Sequence, residues 1–216
     1  MARPPRRLYR PAPMRPPTTL RRLALPALLV LALPLLAGAA SQNVADIPRG
    51  HYVIDRKQSA VIAKVTHLDV SYFTVRFDDF DASFDYDPAH PENAHVEATV
   101  DPASLDANAD YSRKFAEDFL SATRFARITF SSTQVTQVTP QLGTMTGNLT
   151  FLGVTRPVTF DVTFVGTGKT LLPPFLPTAG FSASTVIKRS DFGSSYLNNV
   201  VGDEVTLEIE GEFVRR

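Results

Sequence analysis

The 216-residue sequence contains no cysteine, few histidines and no glycine-rich phosphate loop. Without thiols, the chain has no disulfide framework, no thiolate zinc site, no iron–sulfur cluster and no cysteine nucleophile. The four histidines, His51, His67, His90 and His95, lack the spacing of a metal site. A Gly-x-Ser-x-Gly nucleophile elbow is also missing. The sequence therefore predicts no catalytic residues, no metal and no cofactor.

Charge is unevenly distributed along the chain, although 22 basic and 22 acidic residues give a net charge of zero. Residues 1–39 hold seven arginines and no acid, which leaves 15 bases against 22 acids, a charge of −7, for residues 40–216. A domain that binds nucleic acid normally carries positive charge, because it neutralises phosphates. A nucleic-acid partner is therefore not expected.

The first 39 residues have the three-part pattern of a secretory signal peptide. A basic, proline-rich segment precedes the apolar run 23–36 and a short run of small residues, which predicts cleavage after Ala39. The apolar run has 14 residues interrupted by prolines, fewer than the roughly 20 of a membrane-spanning helix. We therefore expect an exported protein, periplasmic or secreted, with no stable membrane span after cleavage. Residues 40–50 are expected to be a linker, and residues 51–216 a single domain.

From His51 onward the apolar residues recur with a period of two, which is typical of strands with one buried face. The last segment, residues 204–213, shows this best, with aliphatic side chains on one face and mainly glutamate on the other. The apolar positions change parity at Asp78 and Asp79, which predicts a β-bulge. Residues 110–121 alone have helical spacing. Further strands are predicted at residues 59–68, 73–86, 94–100, 127–138, 144–151, 158–164 and 180–188.

About eight antiparallel strands with one short helix must protect their sheet edges, and closing into a barrel or a sandwich does so. The interior of such a barrel is either filled by side chains or holds one small elongated ligand. His67 ends an apolar strand, where it is either a structural histidine or a hydrogen-bond partner for a ligand head group. The apolar loop at residues 171–177 either packs on the barrel or forms an exposed apolar lip or membrane contact.

Three segments in order carry a resemblance to a known family. They are residues 147–158 (GNLTFLGVTRPV), residues 188–193 (KRSDFG) and residues 201–205 (VGDEV). From about Tyr52 to Phe213 the chain resembles the YceI-like proteins, also called polyisoprenoid-binding or lipid-binding proteins of the bacterial periplasm. The resemblance implies an all-β fold: a lipocalin-like, eight-stranded antiparallel barrel with one short helix and a hydrophobic tunnel, without catalytic residues.

The function that the resemblance implies is an exported carrier for a long isoprenoid, such as a polyprenyl or an isoprenoid quinone, or for a similar fatty amphiphile. Two alternatives stay open: a periplasmic hydrolase acting on an acyl or prenyl ester through His67, and a ligand-free stress or interaction module with a filled barrel. Arg189 either orients a head group or closes a turn by pairing with Asp191. The oligomeric state, including a homodimer, is open. The predicted ligand-binding residues are His67, Phe73, Phe77, Phe80, Phe84, Phe119, Phe130, Leu149, Phe151, Phe160, Phe164, Phe181, Ile187, Arg189 and Phe192.

Overall fold

The computed structural model consists mainly of antiparallel strands, as the alternation of apolar and polar residues predicts. The structure describes residues 40–108 and 111–216. The predicted signal peptide and its cleavage site after Ala39 lie outside the described residues. The predicted helix is found as α1, Ser112–Leu120, and the position at which it was expected to begin, Asp110, also lies outside them.

Eleven strands are formed by the described residues. Short 3-10 helices occupy Val44–Asp46, Arg56–Gln58, Pro91–Asn93, Pro102–Ser104 and Arg189–Phe192. The strands are β1 (Gly50–Ile54), β2 (Ala60–His67), β3 (Ser71–Phe77), β4 (Phe80–Tyr86), β5 (His95–Val100), β6 (Leu105–Asp106), β7 (Ile128–Gln137), β8 (Leu142–Phe151), β9 (Val154–Lys169), β10 (Pro177–Lys188) and β11 (Val201–Arg215).

These elements form a closed barrel of eight antiparallel strands, three of which are interrupted. The ring runs β1-β4-β5-β7-β8-β9-β10-β11 and closes where β11 pairs with β1. Strands β2, β3 and β6 continue β1, β4 and β5, because β2 pairs with the first half of β11, β3 with β2, and β6 with β3. The predicted fold class, a lipocalin-like antiparallel eight-stranded barrel with one short helix, is confirmed.

The three interruptions lie side by side and support one another. Asp78 donates its backbone N–H to Ser104 O over 3.2 Å, and Asp101 donates to Asp79 O over 2.8 Å. In the neighbouring strand, the Ser59 hydroxyl accepts the N–H of Glu212 at 3.0 Å. The facing changes at Asp78 and Asp79 as predicted, since the aromatic side chains at positions 77 and 80 are both buried. The predicted β-bulge is wrong, because the strand is interrupted there and β3 and β4 are separate strands.

The two ends of the barrel differ. The helix end carries the β2–β3 turn, α1, the β8–β9 turn and residues 189–200; at the opposite end lie residues 41–49, 87–94, 138–141 and 170–176. Ala116 of α1 packs in a buried cluster with Phe77 of β3 and Leu105 of β6, which holds the helix against these strands.

Residues 40–50, predicted to be a linker, lie against the barrel. Ser41 exchanges two backbone hydrogen bonds with Thr167 of β9, and Ile47 is fully buried. The hydroxyls of Tyr52 and Tyr86 donate to backbone carbonyls of this segment, at positions 48 and 44. The apolar side chains of the segment thus extend the core at the end opposite the helix.

Glycine 147 is required by the close approach of β8 to β7. A Cβ at this position would lie 2.4 Å from Phe130 Cζ and 2.5 Å from the backbone oxygen of Ser131. We expect Gly147→Ala to lower the free energy of unfolding by about 1–3 kcal/mol, the usual cost of overpacking. Gly168→Ala is the matched control, because its nearest atom would be 3.9 Å away. Urea unfolding of the two variants checks this, and equal stability of both would contradict it.

Candidate functional site

The barrel encloses a large apolar cavity of about 1140 Å³. Its wall includes inward-facing side chains of β11, among them Val205, Leu207 and Ile209, and of β2, among them Val61 and Ala63. These residues face the interior but are only partly buried, because the space in front of them is not filled by side chains. The barrel is therefore hollow, and the interior expected for a ligand-free module is not observed.

Phenylalanines close the cavity at the end opposite the helix. Phe84 stacks on Tyr52 at a centroid distance of 5.0 Å and meets Phe213 edge-on, also at 5.0 Å. Phe181 bridges Phe84 and Phe164 at 5.7 and 5.4 Å. This packing belongs to the core cluster that contains Ile47, so the aromatic floor rests on the N-terminal segment. Burial raises the pKa of the hydroxyl of Tyr52.

A second row of aromatic rings spans the helix end. Tyr111, Phe115 and Phe119 follow one another at a spacing of four residues, and so lie on one face of the helix. Their centroids are 5.2 and 5.5 Å apart. The row continues from Phe115 to Phe73 of β3 at 5.5 Å and from Phe119 to Tyr196 at 5.0 Å. Phe73, Tyr111, Phe115 and Phe119 of this row line the cavity.

His67 is the last residue of β2 and lies at the helix end of the barrel. It lines the cavity, is exposed, and pairs in register with Ser71, so that both side chains share a face. Within the described part of the chain, no serine hydroxyl or carboxylate forms a hydrogen bond with its imidazole. The hydrolase alternative requires such a group to orient the base. The position of His67 suits a contact with a ligand entering the barrel.

Arg189 is 5% exposed and is committed to its own loop. Its Nε donates to Gly202 O at 2.9 Å, and its two terminal nitrogens donate to Tyr196 O and Val201 O, both at 2.8 Å. Burial lowers the pKa of this guanidinium. These contacts favour the turn-closing interpretation, but with backbone carbonyls, rather than the predicted carboxylate, as the partners.

Asp203 is the carboxylate that stabilises this turn, through hydrogen bonds from Ser190. Its carboxylate accepts the backbone N–H of Ser190 at 2.9 Å and the Ser190 hydroxyl at 2.7 Å, which hold the pKa of Asp203 below its ordinary value. A carboxyl whose pKa is lowered by folding stabilises the protein above its unfolded pKa, and that contribution is lost as pH falls through the folded value.

We therefore expect Asp203→Asn to destabilise the protein at pH 7 and the difference from wild type to shrink below about pH 4, the ordinary range of aspartate. Urea unfolding between pH 7 and pH 3 measures it. Asp161→Asn is the control, because among the described residues this exposed carboxylate has no hydrogen-bond partner. A difference that is independent of pH would contradict the assignment.

The structure brings 14 of the 15 predicted ligand-binding residues to the cavity wall. The exception is Phe192, which is 2% exposed, packs against Phe151 at 5.7 Å and does not line the cavity. Sequence reasoning missed Tyr111 and Phe115, although their helical spacing with Phe119 is visible. The predicted residues that line the cavity are His67, Phe73, Phe77, Phe80, Phe84, Phe119, Phe130, Leu149, Phe151, Phe160, Phe164, Phe181, Ile187 and Arg189.

The apolar loop at residues 171–177 does not pack on the barrel as a buried cluster. Leu171 is 80% exposed, and Leu172 and Phe175 are exposed as well. None of the three lines the cavity. In the described part of the chain no helix has the length and apolar content to cross a membrane, and no cluster of three acidic or histidine side chains has the geometry to hold a metal ion.

Comparison with known proteins identifies the family. The sequence model of the YceI-like domain matches residues 52–213. The chain belongs to the YceI-like family. A UPF0312 protein of Pseudomonas fluorescens is 39% identical over 163 residues, which cover 74% of this chain and 84% of that protein.

Solved structures have a similar fold. Burkholderia cenocepacia BcnA has a TM-score of 0.65 and 26% identity, over 76% of this chain and 99% of BcnA. A polyisoprenoid binding domain from Saccharophagus degradans has a TM-score of 0.57 over 76% of this chain and 98% of that domain. Its identity of 16% makes it a likeness of fold.

Proposed function

We propose that this protein is an exported binding protein that carries a long isoprenoid, or a similar fatty amphiphile, inside its barrel. The observation that carries the proposal is the hollow apolar interior of about 1140 Å³. A cavity of this size exceeds the usual range for small-molecule pockets, roughly 300–1,000 Å³, and suits an elongated chain. Export is inferred from the basic and apolar segments that precede Ala39.

A hydrocarbon tail suits the wall on physical grounds. Each methylene that moves from water to an apolar wall contributes roughly 0.8 kcal/mol, so affinity grows with the length of the chain. Aliphatic and aromatic side chains supply most of this wall, and no array of fixed polar groups is needed to obtain tight binding. A carrier of this kind holds the tail by burial.

The comparisons support a binding protein, and one of them names this class of ligand. The chain belongs to the YceI-like family, and a protein that shares its fold is named as a polyisoprenoid binding domain. A binding protein is therefore preferred to an enzyme. His67, at the helix end, is the group that we assign to the polar head of the ligand, because it lines the cavity and is exposed.

The experiment is mass spectrometry of an organic extract from protein exported by a bacterial host and purified without detergent. We expect about one isoprenoid or fatty amphiphile per chain. His67→Ala is expected to weaken retention of the ligand about tenfold, since one hydrogen bond contributes about 1 kcal/mol or more. His95→Ala is the matched control, because this histidine lies outside the cavity and contacts Glu97.

The contrary result is an extract that is empty and remains empty after the protein has been incubated with prenyl quinones and fatty acids. Equal losses in the His67 and His95 variants would remove His67 from the head-group site and leave the carrier function intact.

A further inference from the structure

The helix end of the barrel carries a concentrated set of exposed apolar side chains, which we call the collar. Its members come from three segments of the chain: the β2–β3 turn with β3, the start of the helix, and the loop before β11. They are Leu68, Val70, Tyr72, Tyr111, Tyr196 and Leu197. Val70 is 86% exposed and Tyr72 is 71% exposed.

The collar is one physical surface. Leu68 donates its backbone N–H to Val200 O at 2.7 Å, which ties the turn to the loop that carries Leu197. The aromatic row along α1 joins Tyr196 to Tyr111 through successive ring contacts. The three segments therefore form a continuous rim at this end.

Two leucines of the collar have a left-handed backbone conformation, in which other residue types are preferred. Leu68 has φ of 52° and Asp69 has φ of 54°, and together they form the tight turn between β2 and β3. Leu197 has φ of 50°. Glycine or asparagine is the usual residue at such positions, because a Cβ disfavours positive φ. The backbone at Leu68 and Leu197 is therefore strained, and both leucine side chains are nevertheless exposed to solvent.

The collar also borders the cavity. Tyr111 belongs both to the collar and to the cavity wall, and His67 and Ser71 flank the turn and line the cavity. At the opposite end the lining is mixed, and it includes Gln137, Gln141, Glu92 and Leu142. A hydrocarbon chain leaving at the helix end therefore meets apolar and aromatic side chains, whereas the phenylalanine cluster around Phe84 and Phe181 closes the other end.

We propose that the collar is a membrane-docking face, and that the ligand exchanges with a lipid bilayer through the helix end of the barrel. The proposal rests on the carrier function proposed above. The occupant is a bilayer surface because a water-insoluble chain must enter from a lipid phase, and the collar borders the cavity at Tyr111, His67 and Ser71. Its composition also fits: tyrosines with their polar hydroxyls next to exposed aliphatic side chains are typical of proteins at the membrane interface. Phosphatidylcholine, a zwitterion with no net charge, is the appropriate partner, since the −7 charge of residues 40–216 opposes anionic lipids.

The test compares two double variants at opposite ends. Leu68→Asn with Val70→Ser removes two collar side chains, and asparagine tolerates the positive φ of position 68. Leu171→Ser with Leu172→Ser removes two exposed leucines that do not line the cavity. Flotation with phosphatidylcholine vesicles measures docking without a ligand, and transfer of a prenyl quinone from such vesicles measures exchange.

We expect the wild type and the Leu171/Leu172 variant to float with vesicles and to take up the quinone at the same rate. The collar variant should lose flotation and slow uptake by about tenfold or more, the effect of removing two buried apolar contacts. Its final occupancy with the quinone should equal that of the wild type.

Three results would overturn the docking proposal: no flotation of the wild type, a loss confined to the Leu171/Leu172 variant, or binding that needs membrane proteins in the vesicles. Failure of the carrier function is recognised separately. In that case neither the wild type nor either variant retains quinone, even if the wild type still floats with the vesicles.

Discussion

Filling the cavity is expected to abolish ligand retention without weakening the fold. Ala183 lies in the middle of β10, lines the cavity, and pairs in register with Val162 and Ile209 on the neighbouring strands. An indole at this position would displace about five methylenes of a bound chain. At roughly 0.8 kcal/mol each, their loss corresponds to about 4 kcal/mol, or several hundredfold in affinity. We therefore expect Ala183→Trp to contain almost no co-purified amphiphile.

The matched control is Val186→Trp, on the same strand but on the outer face, where the side chain is 56% exposed. We expect it to bind the ligand as the wild type does. The free energy of unfolding measured in urea should stay the same or rise in Ala183→Trp, because the indole occupies space that no side chain fills. Full ligand occupancy in this variant would mean that the ligand lies elsewhere.

Much of the barrel could be predicted from side-chain alternation. In β11 the aliphatic residues predicted to share a face all line the cavity, and the change of facing at Asp78 and Asp79 coincides with the break between β3 and β4. Alternation could not show that this break lies beside two others. The contacts that join them, such as Asp101 N–H to Asp79 O, connect residues far apart in the sequence.

The candidate site was less predictable, because a period of two identifies the inward face without saying what occupies the space in front of it. Phe84 and Phe181 face inward and contact each other, whereas Leu207 faces inward toward open space. Phe192 has the same residue type and lies in a family motif, yet it follows a strand, where alternation no longer applies, and it packs behind the wall. Only tertiary structure separates these cases.

The N-terminal segment shows a second limit. Residues 40–50 are short and have no clear period, and this composition is typical of a linker. Ile47 is nevertheless fully buried, and the hydroxyl of Tyr86 donates to Val44 O at 3.0 Å. The burial depends on core side chains of β4, β10 and β11, which lie far from this segment in the sequence.

Removing the guanidinium of Arg189 is expected to cause the largest loss of stability. Arg189→Met would leave the carbonyls of Tyr196, Val201 and Gly202 without the donor that the buried guanidinium supplies. Hydrogen bonds to charged groups contribute about 1.5–3 kcal/mol each, and part of this is recovered when the loop relaxes into water. We expect a decrease of about 3–5 kcal/mol in the free energy of unfolding, measured in urea.

Two further variants separate the geometry of the guanidinium from its charge. Arg189→Lys keeps the charge but cannot reach three carbonyls in different directions, so an intermediate loss is expected. Arg156→Met, which removes one exposed 3.3 Å contact to Asp191 O, should cost less than about 1 kcal/mol. If Arg189→Met kept wild-type stability but lost the amphiphile, the arginine would belong to the ligand. The expected result, a destabilised loop before β11, instead makes Arg189 the residue that holds Tyr196 and Leu197 at the rim of the cavity.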